Sequence, residues 1–106
     1  MADPTKQKLE KKITAYVQMV TPLPGGLHIT VENIIIEDGE ARRFQVDGAT
    51  IISRQPIPVS IGDRIRATYN HTQILETTHF GAHRGYFAKR IEVLDSEGRT
   101  KAEYAV

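Results

Sequence analysis

The 106-residue chain contains no cysteine and no tryptophan. Without cysteine there is no disulfide framework and no thiolate zinc centre, which fits a reducing compartment. Long apolar runs are missing as well: none approaches the roughly 18 residues of a membrane span. Met1-Ala2-Asp3-Pro4 lacks the apolar segment of a secretory signal. These absences lead to the expectation of a cytoplasmic, soluble protein with no membrane partner. No stretch has a convincing helical period, no internal repeat is visible, and low-complexity sequence is absent.

What is present suffices for one domain. Apolar residues make up 40% and charged residues 25%, the balance of an ordinary folded protein able to build a core without staples. The net charge of +1 divides unevenly. Residues 1–12 hold four lysines against two acids, a net of +2, which leaves −1 for residues 13–106. The expected organisation is a flexible basic arm over 1–12 followed by a single β-barrel domain over 13–106. An arm of this kind either solubilises the terminus or reaches for phosphates. A slightly acidic body has no general pull on a polyanion, so nucleic-acid binding would have to come from charge asymmetry within the fold.

The strand signals follow one another closely. Ile13, Ala15, Val17 and Met19 alternate with Thr14, Tyr16 and Gln18, the period-two pattern of a half-buried strand. It ends at Thr21-Pro22-Leu23-Pro24-Gly25-Gly26, a turn-forming run. Leu27 to Glu37 reads as a second strand whose phase slips at Asn33, between Leu27-x-Ile29-x-Val31 and Ile34-Ile35-Ile36, as at a bulge. Asp38-Gly39 is a hairpin signal, and Arg42 to Asp47 is the expected third strand, with Phe44 and Val46 inward. Ala49 to Ser53 is too short for a stable helix, and Arg54-Gln55-Pro56-Ile57-Pro58 should be extended. Ile61-Gly62-Asp63 opens a strand with Ile65, Ala67 and Tyr69 on one face. Tyr86 to Leu94 is again strand-like, Asp95-Ser96-Glu97-Gly98 turns, and Arg99 to Val106 adds a short edge strand. Asn70 to Gly85, with His71, His79 and His83, reads as a long loop joining the two strands.

This order of lengths, with Ile61-Gly62-Asp63-Arg64-Ile65-Arg66-Ala67 and Ala88-Lys89-Arg90-Ile91-Glu92-Val93-Leu94, resembles the oligonucleotide/oligosaccharide-binding (OB) fold over residues 13–95. The resemblance is to a fold pattern and not to a specific family. It implies an all-β, five- to six-stranded Greek-key barrel, with an SH3-like barrel as the alternative. OB folds usually place a helix before the fourth strand, where this chain has Pro56 and Pro58.

The resemblance also implies that the long loop walls a ligand cleft. From Thr77 through Ile91 there is no acidic residue. Single-stranded nucleic acid is held by cations along the phosphates and by aromatic faces against the bases. On that chemistry Arg42, Arg43, Arg66, Arg84, Lys89 and Arg90 are the candidate phosphate contacts, and Phe80, His83 and Tyr86 the stacking platforms. The competing reading makes the loop a solvated hairpin connection with Phe80 folded back on the barrel end. His71, His79 and His83 come with no thiolate and no partner that would orient them, so no metal or other cofactor is expected. Ser53 and Ser60 lack a nucleophile context, so no catalysis is expected. The functional expectation is a non-catalytic module for single-stranded DNA or RNA. The alternative is a protein-interaction or self-assembly module, a homo-oligomer included.

Overall fold

The alternating stretches become strands that coil around one core. The computed structural model describes residues 10–38, 41–45, 48–78 and 81–106. Seven strands follow in order: β1 (Lys11–Leu23), β2 (Gly26–Asp38), β3 (Ala41–Gln45), β4 (Ala49–Ser53), β5 (Arg64–Thr78), β6 (Gly81–Leu94) and β7 (Thr100–Ala105). Five of them close a ring in the order β1-β2-β4-β6-β5-β1. All ring contacts are antiparallel except β4–β6, which is parallel. β3 and β7 are additions, β3 on β2 beyond β4, and β7 on the stretch of β6 that follows its contact with β4. The expected small all-β barrel is therefore the fold. Among the described residues there is no helix, so none that could cross a membrane.

The core is filled by the inward halves of the alternations. Ile13, Ile29, Ile51, Ile65 and Ile91 are fully buried, one from each ring strand. Burying an isoleucine in this way stabilises the fold by roughly 1.5–3 kcal/mol against leaving it exposed. The phase slip expected at Asn33 is real. β2 pairs with β4 over Leu27–Val31 and with β3 over Ile34–Asp38, and Asn33 between them has φ 54°. Asparagine is one of the few side chains that tolerates this left-handed conformation. A second irregularity, between Val17 and Met19, corrects the first strand's expected face. Met19 turns outward, 53% exposed, and Val20 packs on the core in its place. One extra residue shifts every later side chain to the opposite face.

Two further readings are corrected. Ala49–Ser53, expected only to be too short for a helix and not counted among the strands, is the strand β4, with four of its five residues buried and partners on both sides. Its β-branched Thr50, Ile51 and Ile52 suit a strand enclosed between neighbours. The stretch expected as a loop over Asn70–Gly85 is strand wherever it is described, over residues 70–78 and 81–85. β5 and β6 continue as a paired ribbon out to Thr78↔Gly81, with register shifts at Thr68/Tyr69, Tyr69/His71 and Ile74/Glu76. The irregular phase produced by those shifts hides the strand period from a sequence reading. The proposed arm lies outside the described residues over 1–9, while Lys11 and Lys12 belong to β1.

The turns behave as their residues dictate. Leu23 pairs with Gly26 around Pro24-Gly25, and Gly25 supplies φ 77°. The Gly-Asp turn ties β5 to β1: Gly62 N–H donates to Val17 O, Val17 N–H to Asp63 O, and Ser60 N–H to Asp63 Oδ2. Asp95 Oδ1 accepts from the N–H groups of Glu97 and Arg99, closing the turn into β7. The expected edge strand is thus present.

Candidate functional site

The sequence-derived cations do not form one open basic surface. On the outer wall of β5 and β6, Arg66 Nε and Nη2 donate to Glu92 Oε1 and Oε2 at 3.2 and 2.9 Å. Thr100 Oγ1 donates to the same carboxylate. The hydrogen bonds from Arg66 outweigh partial burial and, with Thr100, hold the Glu92 carboxyl down at about 2. Arg90 reaches Glu10 at 3.4 Å and Glu103 at 3.2 Å, and Lys89 reaches Glu10 at 3.6 Å. The Arg90 Nε to Glu103 contact is close but not aligned as a hydrogen bond. Arg66, Lys89 and Arg90 are thus paired with acids that lie far from them in the sequence.

The other expected residues are dispersed. Tyr86 is 2% exposed and packs edge-on against Tyr69, centroids 5.0 Å apart, so it belongs to the core and offers no face to a base. This corrects its assignment as a platform. His83 Nε2 lies 2.6 Å from Thr50 Oγ1, and its ring packs over Gly48 where a Cβ would stand. That contact fastens the ribbon to β4. Arg84 is exposed and makes no ion pair among the described residues. Arg42 and Arg43 align with Glu37 and Ile36 along β3, and their side chains lie outside the described residues, as do Phe44's side chain and the whole of Val46-Asp47, His79 and Phe80.

The pairing register assembles a different group. His28 lies opposite Ile52, Ile52 opposite Phe87, and Phe87 opposite His71. Directly paired residues share a sheet face. Leu27, Ile29, Ile51 and Tyr86, which flank this row, are buried, so the row points outward. At about 4.8 Å per strand it spans roughly 14 Å across β2, β4, β6 and β5. The His71 and Phe87 rings stack with centroids 4.3 Å apart and an interplanar angle of 12°.

Its surroundings are apolar on one side and cationic on the other. A Cβ on Gly85 would stand 2.8 Å from Ile52 Cδ1 and 3.2 Å from Leu75 Cδ1, so glycine is what lets those two side chains close over β6. Leu75 remains 44% exposed and extends the patch along the ribbon. On the other side, Ile52, Arg54, Asn70, His71, Phe87 and Lys89 line a cavity of about 200 Å³. Arg54 makes no ion pair among the described residues. Flat rings, a cavity and an unpaired guanidinium can stack on a planar ligand and hold an adjacent anion. Among the described residues no three metal-ligating side chains gather.

Sequence reasoning missed this row because its members are isolated in the chain. His28, Ile52, His71 and Phe87 share no local pattern in the sequence. Only the register makes them neighbours. Comparison with protein-family models, curated proteins and solved structures finds no match for this chain.

Proposed function

We propose that the protein is a non-catalytic, OB-type module that binds single-stranded nucleic acid on the outer face of β2, β4, β6 and β5. The observation that carries this reading is the stacked His71–Phe87 pair beside Arg54 in an outward row of cross-strand neighbours. OB folds carry their ligands on the second and third barrel strands and on the connection between the last two. On an OB reading those elements would correspond to β2, β4 and the β5–β6 ribbon, and the strand order is compatible with it. Phe87 and His71 stack on bases, while Arg54 and Arg84 take phosphates. Lys89 joins them by exchanging its 3.6 Å contact with Glu10 for a phosphate. A cytoplasmic location belongs to the same proposal.

Fluorescence anisotropy with labelled single-stranded DNA and RNA, at low and physiological salt, tests it. Binding that weakens steeply with salt, and weakens again in the double variant H71A/F87A, is the expected result. No binding of either strand by micromolar protein at low salt would end the proposal. Binding unchanged in the double variant would move the site elsewhere.

A second reading rests on its own observation. From Gln18 to Leu23 β1 pairs only with β2, and from Asn70 to Thr78 β5 pairs only with β6, among the described residues. Met19, Leu23, Ile74 and Leu75 are exposed along these stretches. Open edges with apolar side chains favour strand-to-strand association, so the alternative is a protein-interaction or self-assembly module. Light scattering that shows one monomer mass across protein concentration would remove the self-assembly form.

A further inference from the structure

The barrel wall is open where β2 bulges against β1. Between the pairs Thr14↔Ile35 and Tyr16↔Glu32, β2 places Asn33 and Ile34 opposite the single residue Ala15. Asn33 takes φ 54° to do so. A bulge of this kind leaves the extra residue outside the ladder and bends the strand. The result is a cavity of about 350 Å³ on the β1–β2 seam, within the size range of small-molecule sites. It is lined by buried Thr14, Ala15 and Ile34, by half-buried Ile35, and by Tyr16, Asn33 and Arg64.

Arg64 differs from its neighbours. Arg66, Arg90 and Arg99 each meet a carboxylate. Arg64 meets none among the described residues. Its guanidinium carbon lies 5.9 Å from the centroid of the Tyr16 ring, and Nη1 runs beside Gly98, where a Cβ would be 3.5 Å away. Among the described residues no carboxylate lines the cavity. Glu32, opposite Tyr16 in the register, is exposed and outside the lining. A guanidinium resting on an aromatic ring keeps its in-plane donors available for a bidentate acceptor.

We propose that this cavity binds a small organic anion, a carboxylate carried on an apolar or aromatic body. The carboxylate pairs with Arg64, the body enters toward Ala15 and Ile34, and Thr14 and Asn33 donate further hydrogen bonds. The site is independent of the row on β2, β4, β6 and β5, whose centre is the β4–β6 seam.

The test uses the full chain, labelled with nitrogen-15 and titrated with benzoate, with benzamide as the neutral isostere and inorganic phosphate as the anion without an apolar body. The expected result is a saturable shift of the Thr14, Asn33 and Arg64 amides with benzoate alone, in the millimolar range. Arg64→Gln should weaken it about tenfold or more, the loss of one charge-assisted pair, and Arg64→Lys should restore part. No saturable shift at these residues with benzoate overturns the proposal. So does an equal response to benzamide, or saturation by phosphate alone. If Arg64→Gln loses the folded spectrum, Asn33→Gly, which keeps the bulge conformation and removes the amide, carries the test. Unchanged benzoate affinity in Asn33→Gly together with Arg64→Lys would then overturn the proposal.

Discussion

The wall made by β1, β5, β7 and the C-terminal half of β6 can be set against the wall made by β2, β4, the outer half of β5 and the N-terminal half of β6. On the first, Arg66 meets Glu92 and Arg90 meets Glu10 and Glu103, with Arg64 at the start of β5 as the exception. On the second, the side chains of His28, Ile52, Phe87 and His71 make no hydrogen bond or ion pair among the described residues beyond their own ring stacking, and Arg54 beside them makes no ion pair there either. Both walls draw on β5 and β6 and use the same cross-strand spacing. Partnering is what separates them. A paired charge stabilises the fold and has little left to offer a ligand, whereas an exposed ring or guanidinium contributes little to the fold and keeps its capacity to bind.

If the walls divide stability from binding in this way, substitutions should separate the two properties. The largest effect is expected at the paired wall. Glu92→Ala leaves Arg66 half-buried without its partner, and should cost about 2–3 kcal/mol in urea unfolding. Its oligonucleotide affinity should stay near that of the unaltered chain, and a parallel loss of affinity would break the comparison. Acid should act through the same pair. The Glu92 carboxyl is held at about 2 against an ordinary 4.5. Its contribution, on the order of 3 kcal/mol, is therefore complete above pH 4.5 and lost as pH falls toward 2. Stability measured against pH should show this acid limb in the unaltered chain and lose most of it in Glu92→Gln.

The exposed wall should respond in the opposite sense. Phe87→Ala should weaken single-stranded oligonucleotide binding by about 1–3 kcal/mol in anisotropy, the value of one stacking platform. Gly85→Ala is the exception on this wall: it pushes a methyl group against Ile52 and Leu75 and should cost roughly 1 kcal/mol or more of stability in urea unfolding. The smallest effect is Arg54→Ala: stability within about 0.5 kcal/mol, and a salt dependence of binding shallower by about one unit of slope.

Much of the barrel was legible in the chain because alternation and turn chemistry are local. The inward sets Ile13-Ala15-Val17, Leu27-Ile29-Val31 and Ile65-Ala67-Tyr69 are all buried. The slip at Asn33 is where β2 changes partners, and Asp95 closes the turn into β7. The errors fall where the chain departs from regular alternation. Met19 was misplaced by the extra residue before it, and the β5–β6 ribbon read as a loop because three register shifts break its period. β4 was missed because a five-residue run enclosed on both sides has no alternation to display.

The candidate site was far less legible. An acid-free strip from Thr77 to Ile91 looked cationic in one dimension, yet Lys89 and Arg90 meet Glu10, 79 and 80 residues earlier, and Tyr86 points into the core. Sequence by itself determined the fold class, most of the core and the turns, since each depends on residues within a few positions of one another. The tertiary structure alone decided which cations are neutralised, which aromatic rings are exposed, and that His28, Ile52, Phe87 and His71 form one row. Those properties depend on register between strands distant in the chain, and a single bulge is enough to change it.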